Sequence, residues 1–228
     1  MPLAANALTT KTRFASLMGL SLASLDVDRL ESTINAVSAA AERLTGRKFG
    51  FRRYSADAPL LVEAQACPEL YLRYFPIRSI LSIVMDGETL TVSEGLPTPD
   101  GLGTVWRLDG NDERGILWRS WGWPGYQGPI KIAGDFGYVL PQYAGDTDAT
   151  HNPEGVEESD IDPELERIVC EEVRGRWSAP ARKGIKAETS PGGQKVEFFG
   201  AGGSVADRDA ELKLALADWC LPSAWWAG

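Results

Sequence analysis

The stretch LDVDRLESTINAVSAAAERLTGRKF, residues 25–49, decides the first element of the fold. Its apolar residues recur at intervals of four and three, which is the spacing of one face of an α-helix. Asp26 can cap this helix, Asp28 places a carboxylate in the first turn, and Gly46 favours a stop. The signals predict a helix of about 20 residues, roughly 30 Å long. Its apolar face consists of Leu30, Ile34, Val37, Ala41 and Leu44.

This apolar face has two interpretations. It packs inside the helical bundle of one subunit, or part of it meets a neighbouring subunit. A contact between two different surfaces of identical subunits generates rings, so the second interpretation has consequences for assembly. It makes candidate subunit-interface residues of Leu30, Ile34, Val37 and Ala41.

The chain after this helix changes to a pattern typical of β-strands. From residue 51 to about 139, short apolar runs are interrupted by Gly, Pro and Asp. Within IRSILSIVMDGETLTV, Asp86-Gly87 separates two such runs, which is a strong signal for a two-residue hairpin. TVWRLDG and GILWR predict a second strand pair, and PIKIAGDFGYV predicts a last strand that Gly134 interrupts. These runs predict an antiparallel β subdomain between helical segments.

Helical signals flank the β-like region on both sides. Residues 10–20 predict a short helix before it. After it, the acidic and apolar-poor residues 142–160 predict an exposed or disordered loop. Asp162-Pro163 then begins a predicted helix, residues 195–199 (KVEFF) predict a lone strand or an extended arm, and residues 207–221 predict a final helix.

The sequence therefore predicts an α+β fold: an antiparallel helical bundle with an inserted antiparallel β subdomain and an extended C-terminal arm. A length of 228 residues suits one large domain or two small ones and suffices to bury a core. The predicted segments are bundle helices at 1–50, the β subdomain at 51–141, the acidic loop at 142–160, a bundle helix at 161–180, and the arm with its terminal helix at 181–228.

Composition disfavours catalysis, a metal site and a cofactor. The one histidine, His151, lies in the acidic loop and is interpreted as an ordinary loop residue. Cys67, Cys170 and Cys220 are widely spaced, which favours a reducing compartment over a disulfide framework. The net charge of -9 disfavours broad coating of nucleic acid. No run of about 18 apolar residues predicts a membrane span.

Four stretches of the chain occur in an order that carries a family resemblance, over about residues 10–60, 70–90 and 128–178. They are LDVDRLESTINAVSAAAERLTGRKF with Thr45, Gly46, Arg47 and Phe49; YFPIRSILSIVMDG with Pro76, Arg78, Ser79, Ile83, Asp86 and Gly87; IKIAGDFGYVLP with Gly137, Tyr138 and Pro141; and the helical IDPELERIVCEEVRGRW. In this order they resemble the head–tail connector, or neck adaptor, proteins of tailed bacteriophages.

The resemblance implies a structural virion protein that is not an enzyme. It implies a ring of about twelve copies beneath the portal protein, which extends the DNA channel and presents a seat for the stopper or tail-completion protein. Double-stranded DNA would pass without sequence-specific binding during viral DNA packaging and exit. The implied location is the virion neck, between capsid portal and tail, after synthesis in the host cytoplasm, with no membrane partner.

An aromatic loop, RSWGWPGYQGP, suggests a contact surface within the β-like region. These side chains close the end of the β subdomain, contact a neighbouring virion protein, or stack on sugars or bases. The sugar interpretation gives the alternative function, a carbohydrate- or cell-surface-binding virion module. The candidate contact residues are Trp118, Trp121, Trp123 and Tyr126.

Two basic runs and the C-terminal LPSAWWAG are the remaining candidates. GRKFGFRR and RGRWSAPARKGIK form solvated faces, pair with an acidic neighbour, or contact DNA phosphates. The terminal tryptophans fold back onto their own subunit or anchor in a crevice of a partner. With the resemblance, the candidate portal-binding residues are Arg182, Lys183, Leu221, Trp225 and Trp226.

Overall fold

A computed structural model shows a helical unit and a β unit. It describes residues 2–63, 67–94, 104–107, 114–119, 122–123, 128–148, 150–178, 187–189, 195–197 and 205–221. The helical unit combines Met1–Thr45 with Ile161–Cys220, and the β unit comprises Gly46–Asp160 together with Leu221. The β unit is therefore inserted between the two halves of the helical unit, so the predicted mixed α+β class is confirmed.

The helical unit has four α-helices and two short 3-10 helices among the described residues. They are α1 (Lys11–Met18), a 3-10 turn (Leu22–Ser24), α2 (Val27–Thr45), α3 (Pro163–Ser178), α4 (Val205–Ala215) and a second 3-10 turn (Ala217–Trp219). Asp26 Oδ1 accepts from the Arg29 N–H at 3.2 Å, and Asp162 Oδ1 accepts from the Glu164 N–H at 2.8 Å. These caps satisfy N–H groups that the first turn leaves without partners, and they confirm the predicted starts of α2 and α3.

The apolar face of α2 lies in the core of the helical unit. Leu30, Ile34, Val37 and Ala41 each have 0% of their surface exposed. They pack within their own chain, which is the first of the two interpretations drawn from the sequence. Burial leaves these four side chains no surface on which a neighbouring subunit could pack, so the structure corrects their assignment as subunit-interface residues.

The β unit is built on an eight-stranded sheet. Its strands are β1 (Arg52–Tyr54), β2 (Leu60–Val62), β3 (Glu69–Tyr71), β4 (Ile77–Met85), β5 (Glu88–Glu94), β6 (Thr104–Arg107), β7 (Ile116–Trp118) and β8 (Ile130–Phe136). The order is β1-β8-β4-β5-β6-β7-β3, and β2 also pairs with β8. The predicted β6–β7 pair is confirmed. The prediction of a wholly antiparallel subdomain is wrong at β5–β6, which pair in parallel.

The hairpin β4–β5 turns where the sequence predicted. Met85 pairs with Glu88, so the loop consists of Asp86 and Gly87 alone. Both have positive φ, 54° and 85°. A two-residue turn of this kind matches the twist of antiparallel strands and favours Asp-Gly.

Gly134 in β8 lies where the sheet has no room for a side chain. A Cβ at this position would come within 2.2 Å of the Ser79 carbonyl oxygen of β4. β4 shifts register on both sides of this contact, between Ile77 and Ser79 and between Ile80 and Ser82. The glycine therefore permits a close approach of two irregular strands, as the break in the sequence pattern indicated.

One isolated β-bridge joins the two edges of the sheet, and a second extends the pairing of the neighbouring strands β1 and β8. Lys48, just before β1, bridges Tyr74, just after β3, and Gly50 bridges Tyr138, just after β8. The sheet therefore curls around a common core. The largest side chains of that core include Leu72, Trp123 and Phe136.

The C-terminal part contains a further strand pair. β9 (Ala187–Thr189) and β10 (Lys195–Glu197) pair antiparallel. The KVEFF segment is therefore neither a lone strand nor an unpaired arm over residues 195–197. Across the described parts of the chain, no helix is both long enough and apolar enough to cross a membrane.

Candidate interaction surfaces

Positive side chains gather where the two edges of the sheet meet. The Lys48–Tyr74 bridge brings the segment before β1 beside the segment after β3. Arg52 begins β1, and Arg73 directly precedes Tyr74. Arg114 lies at the same end of the β3–β7 pair as Arg73, one residue before Gly115, whose carbonyl accepts from the Leu72 N–H at 2.7 Å. We call Lys48, Arg52, Arg73 and Arg114 the seam patch.

Two tyrosines mark the position of the seam patch. The rings of Tyr54 and Tyr74 meet edge to face with centroids 5.5 Å apart. Burial and then the hydrogen bond to Tyr74 raise the pKa of Tyr54 well above its usual value, while the positive charges of Arg52 and Arg73 lower it. Both guanidinium groups therefore lie within electrostatic reach of the same phenol.

The arginines of the seam patch are exposed. Arg52, Arg73 and Arg114 are exposed side chains, whereas Lys48 is half-buried. None of these three arginines forms an ion pair with a carboxylate of the described residues. The patch therefore presents three uncompensated positive charges to solvent.

The other two cations of GRKFGFRR, Arg47 and Arg53, bind groups within the β unit. Arg47 is 3% exposed, donates from Nη1 to the Leu72 carbonyl at 2.7 Å, and lies 4.7 Å over the Phe75 ring. Arg53 binds Asp135 through two nitrogens at 2.8 and 2.9 Å. For this run the sequence left open a solvated face, an acidic neighbour or DNA phosphates, and the structure divides it, because Arg47 is buried and Arg53 is paired within the unit.

The acidic segment 142–160 is folded around one buried side chain. Asn152 is 1% exposed, and its Nδ2 donates to the carbonyls of Tyr143, Asp146 and Val156 at 3.2, 3.1 and 2.8 Å. Its Oδ1 accepts from the Val156 N–H at 2.9 Å. His151 stacks on Tyr143 with ring centroids 4.1 Å apart. Of the two predicted alternatives, an exposed or a disordered loop, the described residues fit the exposed one, with a central amide in place of an apolar core.

The base of this loop is tied to the sheet. Arg78 of β4 pairs with Asp160 and, at 3.2 Å, with Glu154. Asp160 Oδ1 also accepts from the Val139 N–H at 2.6 Å. Asp160 and Glu154 raise the pKa of Arg78 against the opposing effect of burial, so Arg78 stays charged. These contacts fix where the loop leaves the β unit.

The carboxylates of the loop differ in what they bind. Asp146 accepts from the Asp148 N–H at 3.0 Å, and Asp148 accepts from the Thr150 N–H at 2.9 Å. Glu157 and Glu158 are exposed and form no hydrogen bond or ion pair with described residues. The loop therefore presents two adjacent carboxylates, Glu157 and Glu158, that bind no described residue, on a backbone that hydrogen bonds hold in place.

One tryptophan of the aromatic loop lies in the core of the β unit, and two of its aromatic residues lie outside the described part of the chain. Trp123 is 1% exposed in the core of the β unit and donates from Nε1 to the Pro68 carbonyl at 3.1 Å. It closes this unit, which corrects its assignment as a contact residue for a neighbouring virion protein and removes it from any sugar-stacking platform. Trp118 is half-buried on β7. Trp121 and Tyr126 lie outside the described residues.

The portal-binding candidates are mostly undescribed. Arg182, Lys183, Trp225 and Trp226 lie outside the described residues. Leu221 is half-buried and belongs to the β unit. These residues remain predictions.

A buried carboxylate that the sequence did not reveal joins the N-terminal segment to α3. Glu166 is 2% exposed and accepts from Thr9 Oγ1 at 2.9 Å and from Arg13 Nε and Nη2 at 2.8 and 2.6 Å. These hydrogen bonds compensate the cost of burying the charge. No local pattern could have shown them, because the partners are more than 150 positions apart.

Asp209 of α4 joins three helices of the same unit. It accepts from Arg43 of α2 at 2.5 Å and from Arg176 of α3 at 3.0 Å. The hydrogen bond from Arg43 is the largest contribution that lowers the pKa of Asp209. Leu212 of α4 and Leu216, which directly follows this helix, are buried. α4 is therefore attached by charge and by apolar packing together.

The described residues lack the ligand arrangement that a metal site requires. Within them, no group of three or more His, Cys, Asp or Glu side chains is arranged to hold a metal ion. The one histidine, His151, stacks on Tyr143 in the acidic loop. Comparison with known protein families finds no family model that matches this sequence, and comparison with curated proteins finds no match either.

Proposed function

We propose that this protein is a structural component of the neck of a tailed bacteriophage that connects head to tail. The observation that carries the proposal is the inserted arrangement of the two units. Helices α1 and α2 come before the β unit, and α3 resumes the helical unit after it. The four stretches that resemble connector proteins fall on α2, on the β4–β5 hairpin, on β8 and on α3, in that order.

Assembly as a ring beneath the portal is part of this proposal. About twelve copies would extend the DNA channel and present a seat for the stopper or tail-completion protein. The net charge of -9 supports passage of DNA without adhesion, because like charges repel over the length of a channel. Arg182, Lys183, Leu221, Trp225 and Trp226 remain the proposed portal-binding residues.

The experiment that tests this function removes the protein from an infection. Without the chain, we expect DNA-filled heads and complete tails to accumulate separately, as seen by electron microscopy. Addition of purified chain to the separated heads and tails should restore joining and infectivity. An antibody against the chain should label particles at the junction of head and tail only.

Two results would overturn the proposal. Normal tailed particles made without the chain would show that the neck does not need it. Label along the tail tip or fibres, together with glycan binding by the purified chain, would instead favour the carbohydrate-binding alternative. A truncation that lacks residues 222–228 separates portal binding from folding, because it should stay folded and fail to bind portal-containing heads.

A further inference from the structure

We propose that the seam patch of one copy binds Glu157 and Glu158 in the loop of the next copy. This inference rests on the proposed function, because it names the contact that would close the ring. Seam patch and loop are different sets of residues in the same β unit, and a contact between two non-equivalent sites on identical subunits generates a ring or a filament.

The positive side of this contact consists of three exposed arginines, Arg52, Arg73 and Arg114, that bind no carboxylate of the described residues. Arg52 and Arg73 lie within reach of the same tyrosine, and Arg114 lies at the same end of the β3–β7 pair as Arg73. Like charges brought together on a sheet destabilise the isolated unit. An anionic partner would relieve that repulsion, and arginine is well suited to carboxylates because its guanidinium donates in a planar fork.

The negative side of the contact is ordered before binding. Asn152 and Arg78 hold the backbone and the base of the loop. Binding of Glu157 and Glu158 would therefore immobilise two side chains but no new backbone, which lowers the entropic cost of association. The other loop carboxylates already bind Arg78 or neighbouring N–H groups.

Charge complementarity favours a second copy over nucleic acid. A chain with net charge -9 repels a polyanion at long range. The loop, by contrast, carries the complementary charge and is present in every copy. Exposed ion pairs are individually weak and salt-sensitive, so the contact suits copies that a common support holds at high local concentration.

Complementary charge reversal tests this inference. A patch variant carries Arg52→Glu and Arg73→Glu, and a loop variant carries Glu157→Arg and Glu158→Arg. Each variant alone should self-associate about tenfold or more weakly than the wild type, and an equal mixture should recover, because each loop then meets a patch of opposite charge. The measurements are sedimentation velocity at low and high salt and, in parallel, joining of heads and tails.

Matched variants control for net charge. Lys131→Glu reverses an exposed cation of β8 outside the seam patch, and it should weaken association less than Arg73→Glu does. Glu88→Arg with Glu211→Arg adds the same charge as the loop variant at exposed positions of β5 and α4 and should leave association unchanged. Circular dichroism establishes that every variant is folded.

The outcomes separate this inference from the proposed function. Wild-type association and joining by folded patch and loop variants would overturn the inference and leave the neck function standing, as would failure of the mixture to recover. Loss of duplex DNA binding by the patch variant, with self-association unchanged, would assign the patch to nucleic acid and also overturn it. A wild-type chain that neither self-associates nor supports joining would overturn both.

Discussion

Replacement of Asn152 tests whether one buried amide organises the acidic loop. Asn152→Ala removes an Nδ2 group whose two N–H bonds are shared among three carbonyls, at 3.2, 3.1 and 2.8 Å, and an Oδ1 that accepts one hydrogen bond at 2.9 Å. A net hydrogen bond contributes roughly 0.5–1.5 kcal/mol, and a buried group left without a partner costs roughly 1–3 kcal/mol. Some freed groups will reach water because most of the loop surface is exposed. We therefore expect a loss of about 2–4 kcal/mol in the stability of the loop.

Amide hydrogen exchange measures this loss at the loop itself. The Val156 N–H, bound to Asn152, and the Gly145 N–H, bound to the Val156 carbonyl at 2.9 Å, should lose protection together. Asn6→Ala is the matched control, because Asn6 donates one side-chain hydrogen bond, to Glu42 at 2.9 Å. It should cost about 1 kcal/mol and leave the loop amides protected. Unchanged protection in Asn152→Ala would refute the reasoning.

The remaining predictions concern burial and backbone space. Glu166→Ala should lower the free energy of unfolding by about 3 kcal/mol in denaturant titration, because it leaves the Thr9 hydroxyl and the Arg13 guanidinium without their acceptor. A change under about 1 kcal/mol would contradict this. Gly134→Ala should lower the free energy of unfolding by about 3 kcal/mol or more, because β4 leaves no room for a Cβ. Gly87→Ala, which has open space around it, should lower it by only about 1–2 kcal/mol because of its positive φ. Equal shifts in the melting temperatures of the two variants would count against this reasoning. Burial raises the pKa of Cys170 from 9.0 to about 11, so the folded state holds this proton more tightly than the unfolded state. Its contribution to stability is complete below pH 9 and falls as the pH rises towards 11, and a thiol reagent should label Cys67 well before Cys170.

Short sequence patterns correctly predicted the hairpin turn and the helix starts, because these features depend on neighbouring residues only. Asp86-Gly87 fixed a hairpin because both residues tolerate positive φ, and Asp26 and Asp162 marked helix starts because a carboxylate caps free N–H groups. The parallel β5–β6 pair depends on contacts across the sheet that no short window contains. Its strands carry the same alternation as an antiparallel pair, so the sequence predicted the wrong direction.

The predictions for the acidic loop and for the basic run were incomplete for a different reason. Composition predicted an exposed or disordered loop at residues 142–160 because few apolar side chains are present, and hydrogen bonding around Asn152 gives the exposed loop its order. For GRKFGFRR the sequence left open a solvated face, an acidic neighbour or DNA phosphates and did not distinguish its members, yet Arg47 is buried and Arg53 is paired. Only the structure separates these two from Arg52, and only the fold brings Arg73 and Arg114 near it.

The distribution of ion pairs argues that the seam patch is more than an ordinary solvated face. The chain has 32 carboxylate residues for 23 lysines and arginines, so carboxylates are not in short supply. Arg13, Arg43, Arg78 and Arg176 all bind one within their own unit. The arginines of the seam patch share one end of the β unit and bind none of the described carboxylates, while Glu157 and Glu158 are left over as well. Exposed arginines and exposed glutamates that find no ionic partner among the described residues are the arrangement that a contact between copies requires.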